Sequence, residues 1–283
     1  MNKISKHQRN RRPLGQHFLH DEAILKKIAS VVQPSKNTVL EIGPGTGNLT
    51  EALLDRGFEV CALEIDTRLL KKLIRKFEQK KDVFQRLRLI EGDARSFDLT
   101  EILKNKPYSV VANLPYYAAN PIIRRFLESD PKPENMVVML QREVAREMIG
   151  EGGKFSILGL SVQIYAKVNF LFDVLPEAFL LPPSVVSSVL YLELRANPLV
   201  PVMLIPDFFN LIKGVFKNPR KQLHNALLAT PWAGDNFGLK EARTILGRAA
   251  IDSSRRPETL TIEEWVLMLK EFKALGIKLE VRE

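Results

Sequence analysis

Polar side chains and a glycine-rich loop stand where the sequence predicts that successive strands end. Glu64 closes the apolar segment FEVCALE, Asp93 follows RLRLIEG, and Asn113 closes YSVVAN. The loop GPGTG, at 43–47, follows a further apolar segment, NTVLEI. Because parallel strands end at the same edge of a sheet, we expect these features to line one crevice.

The carboxylates at this edge are suited to a nucleoside. Glu64 lies 21 residues after Gly43, a spacing at which an acid accepts hydrogen bonds from ribose hydroxyls in nucleotide-binding folds. Asp93 can accept a hydrogen bond from the amino group of adenine. These residues predict a site for a cofactor that contains adenosine.

The glycine-rich loop distinguishes between such cofactors. Gly43, Gly45 and Gly47 allow a tight turn and a close approach of the backbone to a ligand. The dinucleotide fingerprint requires glycine at its sixth position, but Asn48 stands there, and the acid Glu41 precedes the loop. The pattern favours S-adenosylmethionine, which has no phosphate, over a nicotinamide dinucleotide. A third interpretation is that the glycines only allow the chain to turn and that the loop binds no cofactor.

The segment NLPY, at 113–116, predicts an acceptor site beside that cofactor. Adenine's amino group is a poor nucleophile, because its lone pair is delocalised into the ring. The Asn113 side-chain oxygen and the Leu114 carbonyl can hold both N–H groups, while Pro115 stiffens the turn. Tyr116 can stack on the base. Catalysis would then consist of positioning the amino group next to the methyl donor. The alternative is that Asn113 only caps the end of the strand and that the tyrosines pack in the core.

The elements that must position these residues alternate between strand and helix over residues 20–195. This alternation predicts an α/β fold with a mostly parallel, Rossmann-like sheet that is covered on both faces. The segment GLSVQIYAKV, at 159–168, has a helical pattern. NFLFDVL and SSVLYLEL follow it, and we expect them to form an antiparallel pair at the edge of the sheet.

The composition changes at RANPLVPVMLIP, residues 195–206, which contains three prolines. We predict a basic arm at 1–20, an S-adenosylmethionine-binding catalytic domain at 21–198 and a helical RNA-binding domain at 199–283. The net charge of +9 favours an anionic partner such as nucleic acid. The residues that we expect to contact RNA phosphates are Arg11, Arg12, Lys217, Arg220, Lys221 and Arg248. The alternative is a solvated basic surface.

Other classes of site and location are disfavoured. Cys61 is the only cysteine, so a disulfide and a cysteine-based metal site are excluded, and the four histidines lack the spacing of a metal pair. No apolar run reaches the ~18–20 residues that span a bilayer. We expect a cytoplasmic monomer with no metal and no membrane partner.

Several motifs, in this order, resemble the ribosomal RNA adenine dimethyltransferases of the KsgA type. They are GQHFL (15–19), EIGPGTG (41–47), EID (64–66), GDA (92–94), NLPY (113–116), QREVAREM (141–148), LGLSV (158–162), PEAFLLPPSVVSSV (176–189) and FKNPRKQLHNAL (216–227). The resemblance covers nearly the whole chain, including the helical C-terminal part. It implies a class I methyltransferase fold.

The resemblance also implies an activity and a set of site residues. The expected reaction is dimethylation of the N6 amino groups of two adjacent adenosines in the loop of the 3′-terminal helix of 16S-type small-subunit RNA, on a pre-30S-type particle, with S-adenosylmethionine as donor. Phe179 would lie on the far face of the target base from Tyr116. The residues implied to bind the cofactor are His17, Leu19, Gly43, Gly45, Glu64, Asp93 and Asn113.

The sequence departs from the family pattern at three places. Ala118 and Ala119 stand where a β-branched residue and then Ser or Thr are usual. Leu180 to Ser184 replace x-Pro-Pro-Pro-Lys, and Pro219 replaces an Arg. The first two places lie near the expected acceptor base, so they affect the predicted fit of that pocket and not the cofactor site.

Two other functions share part of this pattern. The large-subunit methyltransferases that confer macrolide resistance have the cofactor motifs, but they usually read Asn-Ile-Pro-Tyr and have a smaller C-terminal domain. Leu114 and the long helical tail argue against them. A ribosome-assembly factor with incidental methylation is the second alternative.

Overall fold

A computed structural model describes residues 17–33, 35, 37–103, 106–115, 117–233 and 237–279. Arg11, Arg12 and Tyr116, which have predicted roles, lie outside this part of the chain. Its strands are β1 (Thr38–Ile42), β2 (Glu59–Glu64), β3 (Leu87–Glu91), β4 (Ser109–Asn113), β5 (Asn135–Gln141), β6 (Ala166–Val174) and β7 (Ser187–Leu194).

The helices alternate with the strands and then continue without them. They are α1 (Glu22–Val31), α2 (Asn48–Asp55), α3 (Thr67–Glu78), α4 (Lys81–Phe84), α5 (Thr100–Leu103), α6 (Ala119–Glu128), α7 (Arg142–Ile149), α8 (Ile157–Gln163), α9 (Ile205–Phe216), α10 (Leu223–Leu228), α11 (Leu239–Arg248) and α12 (Ile262–Ala274). None of the described helices is both long and apolar enough to cross a bilayer.

The strands of the described chain form one mixed sheet in the order β3-β2-β1-β4-β5-β7-β6. β1 to β5 pair in parallel. The α/β class with a mostly parallel sheet, predicted from the sequence, is confirmed. The residues of β1 are all buried, as are those of β4 and β5 except the last of each. Such continuous buried runs are typical of parallel strands with both faces covered.

The strand register brings the predicted site residues to one edge. Ile42, the last residue of β1, lies beside Leu63 of β2 and Ala112 of β4. Glu64 and Asn113 each come one residue later, level with the start of the glycine loop. The chain leaves β1 toward β2 and β3 and returns on its other side as β4. This reversal creates a crevice at the carboxyl ends of the strands, where ligands bind in open α/β sheets.

Helix α3 is amphipathic. Leu70, Leu73 and Phe77 are buried, whereas the opposite face is basic and exposed. The helix begins after Asp66, whose side chain accepts a hydrogen bond from the backbone N–H of Arg68. An acceptor at this position satisfies one of the free N–H groups of the first turn.

The chain divides into two compact units, which differ from the predicted domains. The first contains residues up to 142 and 171–191, and the second contains 143–170 and the residues from 192 onward. Within the second unit, Leu199 N donates to Ile164 O at 2.9 Å, and Phe155 N donates to Glu258 O at 2.7 Å. These hydrogen bonds attach 143–170 to the C-terminal helices, so the division does not coincide with the predicted boundary between 198 and 199.

The helix predicted over GLSVQIYAKV is only partly correct. Helix α8 ends at Gln163, and strand β6 begins at Ala166. The backbone N–H of Arg195 donates to Tyr165 O at 2.8 Å, just before the strand. A short apolar run carries too little periodicity to distinguish a helix from a strand. The place of residues 166–168 in the sheet therefore decides their conformation.

Candidate active site

One crevice in the first unit collects the predicted catalytic and cofactor-binding residues that the structure describes, apart from Phe179. It lies at the carboxyl edge of the strands. The predicted residues that line it are His17, Leu19, Gly43, Gly45, Glu64, Asp93, Asn113, Leu114 and Pro115. Residues that close successive apolar segments of the sequence therefore lie together in the structure.

Glu64 is buried at the centre of this crevice. Its Oε2 accepts a hydrogen bond from Gly45 N at 3.2 Å, and its Oε1 accepts one from Asp66 N at 2.9 Å. Burial raises the pKa of Glu64, and the two backbone donors partly oppose that rise. A carboxylate has about four lone-pair positions, so two remain for a pair of hydroxyl donors.

The glycine loop lies close to the start of the described chain. Gly45 has a φ of +57°, and a Cβ on it would come within 2.9 Å of the Phe18 ring. Glycine is therefore required both by the backbone conformation and by the contact. This packing brings residues 17–20, called here the N-terminal segment, against the loop.

Two amide side chains attach the N-terminal segment to the crevice. Asn48 Nδ2 donates to Leu19 O at 3.0 Å, and Asn113 Nδ2 donates to His17 O at 2.9 Å. Lys76 Nζ donates to Asn48 Oδ1 at 3.4 Å, which fixes the orientation of that amide. The sequence did not identify Asn48 or Lys76 as positioning residues, since their partners are remote in the chain.

The hydrogen bond from Asn113 determines which of its atoms faces the crevice. Its Nδ2 donates to His17 O, so its Oδ1 is the atom that can accept a hydrogen bond from a ligand in the crevice. The following residue, Leu114, is buried, and its N–H donates to Met139 O at 3.2 Å. The strand end therefore holds the Asn113 oxygen in a fixed place.

Asp93 is not a free acceptor in this structure. The backbone N–H and the guanidinium of Arg95 both donate to it, and Arg95 lowers the pKa of the carboxyl. Arg125 of α6 donates to Ala94 O at 2.6 Å and to Phe97 O, so the loop after β3 is held at two further points. Neither arginine was identified from the sequence.

Phe179 does not face the crevice. Its side chain is 2% exposed within the core, and its ring meets that of His17 edge-on at 6.4 Å. A strand-like bridge with Leu19 directs the ring inward. Leu180 and Leu181 are exposed instead. The predicted place of Phe179 against a base does not match this arrangement.

Two exposed residues that line the crevice beside predicted ones had no predicted role. Tyr117 and Ile65 line the crevice, and both are more than half exposed. Each directly follows a residue with a predicted role, so its place in the sequence could have indicated that it lies near the site. Of the two alanines at the first departure from the family pattern, Ala118 lines the crevice, whereas Ala119 is buried in α6.

The basic residues predicted to bind RNA in the second unit differ in whether they are exposed or paired with an acid. Lys217, Arg220 and Lys221 are exposed between α9 and α10. Arg248 pairs with Glu271 at 3.7 Å.

Within the described residues, no group of three or more His, Cys, Asp or Glu side chains is placed to hold a metal ion.

Glu41 is a buried acid with an unsatisfied oxygen. It is 1% exposed, and its Oε2 has no hydrogen-bond partner among the described residues. Burial raises its pKa to about 7, and the nearby carboxylate of Glu64 adds to the rise, while Thr50 and Lys76 oppose it. An uncompensated acid that lines the crevice is suited to a ligand with a positive charge.

Glu41→Gln should change the dependence of stability on pH. The ordinary pKa is 4.5, so between pH 4.5 and about 7 the folded protein holds a proton that the unfolded chain releases. Stability therefore falls as pH rises through this range, by roughly 3 kcal/mol for this group. Urea titrations of the cofactor-free protein at pH 5 and pH 8 measure the free energy of unfolding. This free energy should fall less between the two pH values in the variant than in the unmodified protein.

The control for this measurement is Glu22→Gln, which alters an exposed acid in α1. It should keep the pH dependence of the unmodified protein. Equal pH profiles for the unmodified protein and Glu41→Gln would contradict the assignment of a raised pKa to Glu41.

The chain is similar to curated proteins over most of its length. A ribosomal RNA small subunit methyltransferase A from Dehalococcoides mccartyi is 39% identical over 263 residues, which cover 92% of this chain and 87% of that protein. One from Alkaliphilus metalliredigens is 37% identical and covers 92% of this chain and 91% of that protein.

Solved structures support the fold, and a family model supports the resemblance seen in the sequence. A dimethyladenosine transferase from Plasmodium falciparum has a TM-score of 0.75 at 26% identity, over 92% of this chain and 99% of that chain. The 23S rRNA methyltransferase ErmE has a TM-score of 0.73 at 24% identity, over 90% and 99%. The model described as Ribosomal RNA adenine dimethylase matches residues 7–267. The chain belongs to the ribosomal RNA adenine dimethylase family.

Proposed function

We propose that this chain uses S-adenosylmethionine to dimethylate the N6 amino groups of two adjacent adenosines in the 3′-terminal helix loop of small-subunit ribosomal RNA. The observation that carries the proposal is the fixed Asn113 amide, which presents its oxygen in a crevice with two strand-end carboxylates. Family membership and the names of the relatives at 36–39% identity support the choice of substrate.

The residues in the crevice fit the proposed cofactor. S-adenosylmethionine supplies a methyl group bonded to a positively charged sulfur. Glu64 has acceptor positions left for the ribose hydroxyls, and Asp93 lies at the next strand end for the adenine amino group. The unsatisfied oxygen of Glu41 is suited to the cationic part of the molecule. His17 and Leu19 would cover the site through the N-terminal segment.

The acceptor side of the site orients a weak nucleophile. Asn113 Oδ1 and the Leu114 carbonyl accept hydrogen bonds from the amino group and direct its lone pair toward the methyl donor. The amine becomes acidic only as it gains a methyl group, so a strong base is not needed at the outset. Positioning of this kind can supply several kcal/mol of the barrier reduction. Pro115 stiffens the turn, and Tyr116 is proposed to contact the base.

Ribosomal RNA requires a basic surface, and the second unit provides one. Lys217, Arg220 and Lys221 are exposed and close in sequence. We propose that they bind phosphates and so position the RNA without reading its sequence. Arg248 would have to leave Glu271 to take part. Arg11 and Arg12 are proposed to add contacts from the N-terminal arm. A cytoplasmic monomer that acts on a pre-30S-type particle is part of this proposal.

Methyl transfer to small ribosomal subunits that lack this modification tests the proposed function. The protein, labelled S-adenosylmethionine and subunits are incubated, and the RNA is digested and analysed by mass spectrometry. We expect N6,N6-dimethyladenosine at two adjacent positions near the 3′ end. A parallel incubation with large subunits is the control, and label found only in large-subunit RNA would favour the resistance-type activity. Cofactor binding without transfer would favour an assembly factor.

Asn113→Ala should slow transfer by about 100-fold, the usual order for loss of one fixed hydrogen-bonding group at a reacting centre. The turnover number should fall much more than the affinity for cofactor, which calorimetry measures. Asn135→Ala is the control, because Asn135 is a buried asparagine at the opposite end of a neighbouring strand. If Asn113→Ala and Asn135→Ala have the same turnover, the role of Asn113 is wrong.

A further inference from the structure

The N-terminal segment is held along both of its edges. One edge pairs with a remote part of the chain as an antiparallel strand would. Leu180 N donates to Phe18 O at 2.9 Å, and His20 N donates to Ala178 O at 2.9 Å. Carbonyl groups alternate in direction along an extended chain, so the carbonyls on either side of Phe18 point to the opposite edge. There they accept hydrogen bonds from side chains instead of from a strand.

Two asparagine side chains take the place of a neighbouring strand at this second edge. Asn48 Nδ2 donates to Leu19 O at 3.0 Å, and Asn113 Nδ2 donates to His17 O at 2.9 Å. Asn48 begins α2, directly after the glycine loop, and Asn113 ends β4. Both asparagines line the crevice, and β1 and β4 are neighbours in the sheet. The two side chains therefore attach the segment across the point where the strand order reverses.

The partners of Asn48 determine which way its amide faces. A carbonyl can only accept, so the nitrogen must be the atom next to Leu19 O. The ammonium group of Lys76 can only donate, and it lies 3.4 Å from Asn48 Oδ1. Lys76 Nζ is itself held by Glu51 Oε2 at 3.1 Å and by Thr46 O at 3.3 Å. The amide of Asn48 is thus fixed at both ends and holds Leu19 O in place.

Asn113 depends on a carbonyl that lies two residues from the one held by Asn48. Without His17 O, the amide of Asn113 loses the acceptor that sets its direction, and a half turn would present its N–H groups to the crevice. The amino group of an acceptor base brings donors of its own, so that arrangement forms no hydrogen bond. The position of the N-terminal segment therefore decides whether Asn113 can accept.

We propose that Asn48 is a positioning residue for methyl transfer, which holds the N-terminal segment so that His17 O orients Asn113. The inference rests on the proposed function, because it concerns the acceptor side of that reaction. Asn48 need not contact the acceptor amine, since its effect passes through two carbonyls of the segment. A segment predicted to bind the cofactor thereby also prepares the acceptor site.

Asn48→Asp tests this inference with the least change in shape. Aspartate keeps an acceptor for Lys76 but places an oxygen, which cannot donate, against Leu19 O. We expect the single-turnover rate of methyl transfer to small subunits that lack the modification to fall about tenfold, the order of one hydrogen bond. S-adenosylmethionine is kept saturating. Asn48→Ala should be slowed by a similar factor, which excludes an effect of the added charge.

A double-variant cycle shows whether Asn48 acts through Asn113. If it does, Asn48→Asp should have little further effect in the Asn113→Ala background, so the double variant should be about as slow as Asn113→Ala alone. A residue that only stabilises the fold would slow both backgrounds equally.

The matched control is Asn210→Asp in the second unit. Asn210 Nδ2 likewise donates to a remote carbonyl, Leu279 O, at 2.7 Å, so the same substitution removes the same kind of hydrogen bond. Asn210→Asp should transfer at the rate of the unmodified protein. Calorimetry with S-adenosylhomocysteine checks that each variant is folded and binds the cofactor product.

The inference is wrong if both Asn48 variants transfer at the unmodified rate, or if the losses from Asn48→Asp and Asn113→Ala multiply in the double variant. It is also wrong if Asn210→Asp is slowed as much as Asn48→Asp, since the loss would then be general. Absence of transfer by the unmodified protein would instead overturn the proposed function, and the inference with it.

Discussion

The crevice depends on one buried residue, Glu64. Its side-chain oxygens accept the backbone N–H groups of Gly45 and Asp66, and its own carbonyl accepts that of Gly92 at 3.0 Å. One residue therefore fixes the loop after β1, the start of α3 and the loop after β3. Because Glu64 is 2% exposed, these donors are what stabilise a charge at this place. The same carboxylate retains the positions that a ribose requires.

The position of the site could be predicted from the sequence because parallel strands converge at one edge. Glu64, Asp93 and Asn113 each close an apolar segment, and the register of the sheet brings them level with the glycine loop. The strand-and-helix alternation was sufficient for the fold class. These inferences use local pattern only, and that pattern is strong in β1, β4 and β5 because the residues of those strands are all or nearly all buried.

What the sequence could not predict depends on contacts between remote residues. Asn113 orients its amide through His17, 96 residues away, and Phe179 turns inward because it pairs with Leu19. The hydrogen bonds of residues 143–170 to the C-terminal helices likewise have no local signal. Arg95 lies only two residues from Asp93, but a similar pair, Asp66 and Arg68, shows that spacing alone does not reveal which pair lines the crevice.

Calorimetric titration of S-adenosylmethionine into Glu64→Gln tests the central claim most directly. Glutamine keeps the size of the side chain but loses the charge and half of the acceptors. The matched control is Glu59→Gln, at the exposed start of the same strand. The account predicts that Glu64→Gln binds at least about tenfold more weakly, whereas Glu59→Gln binds normally. Equal affinity in Glu64→Gln and the unmodified protein would show that the cofactor does not use this edge of the sheet.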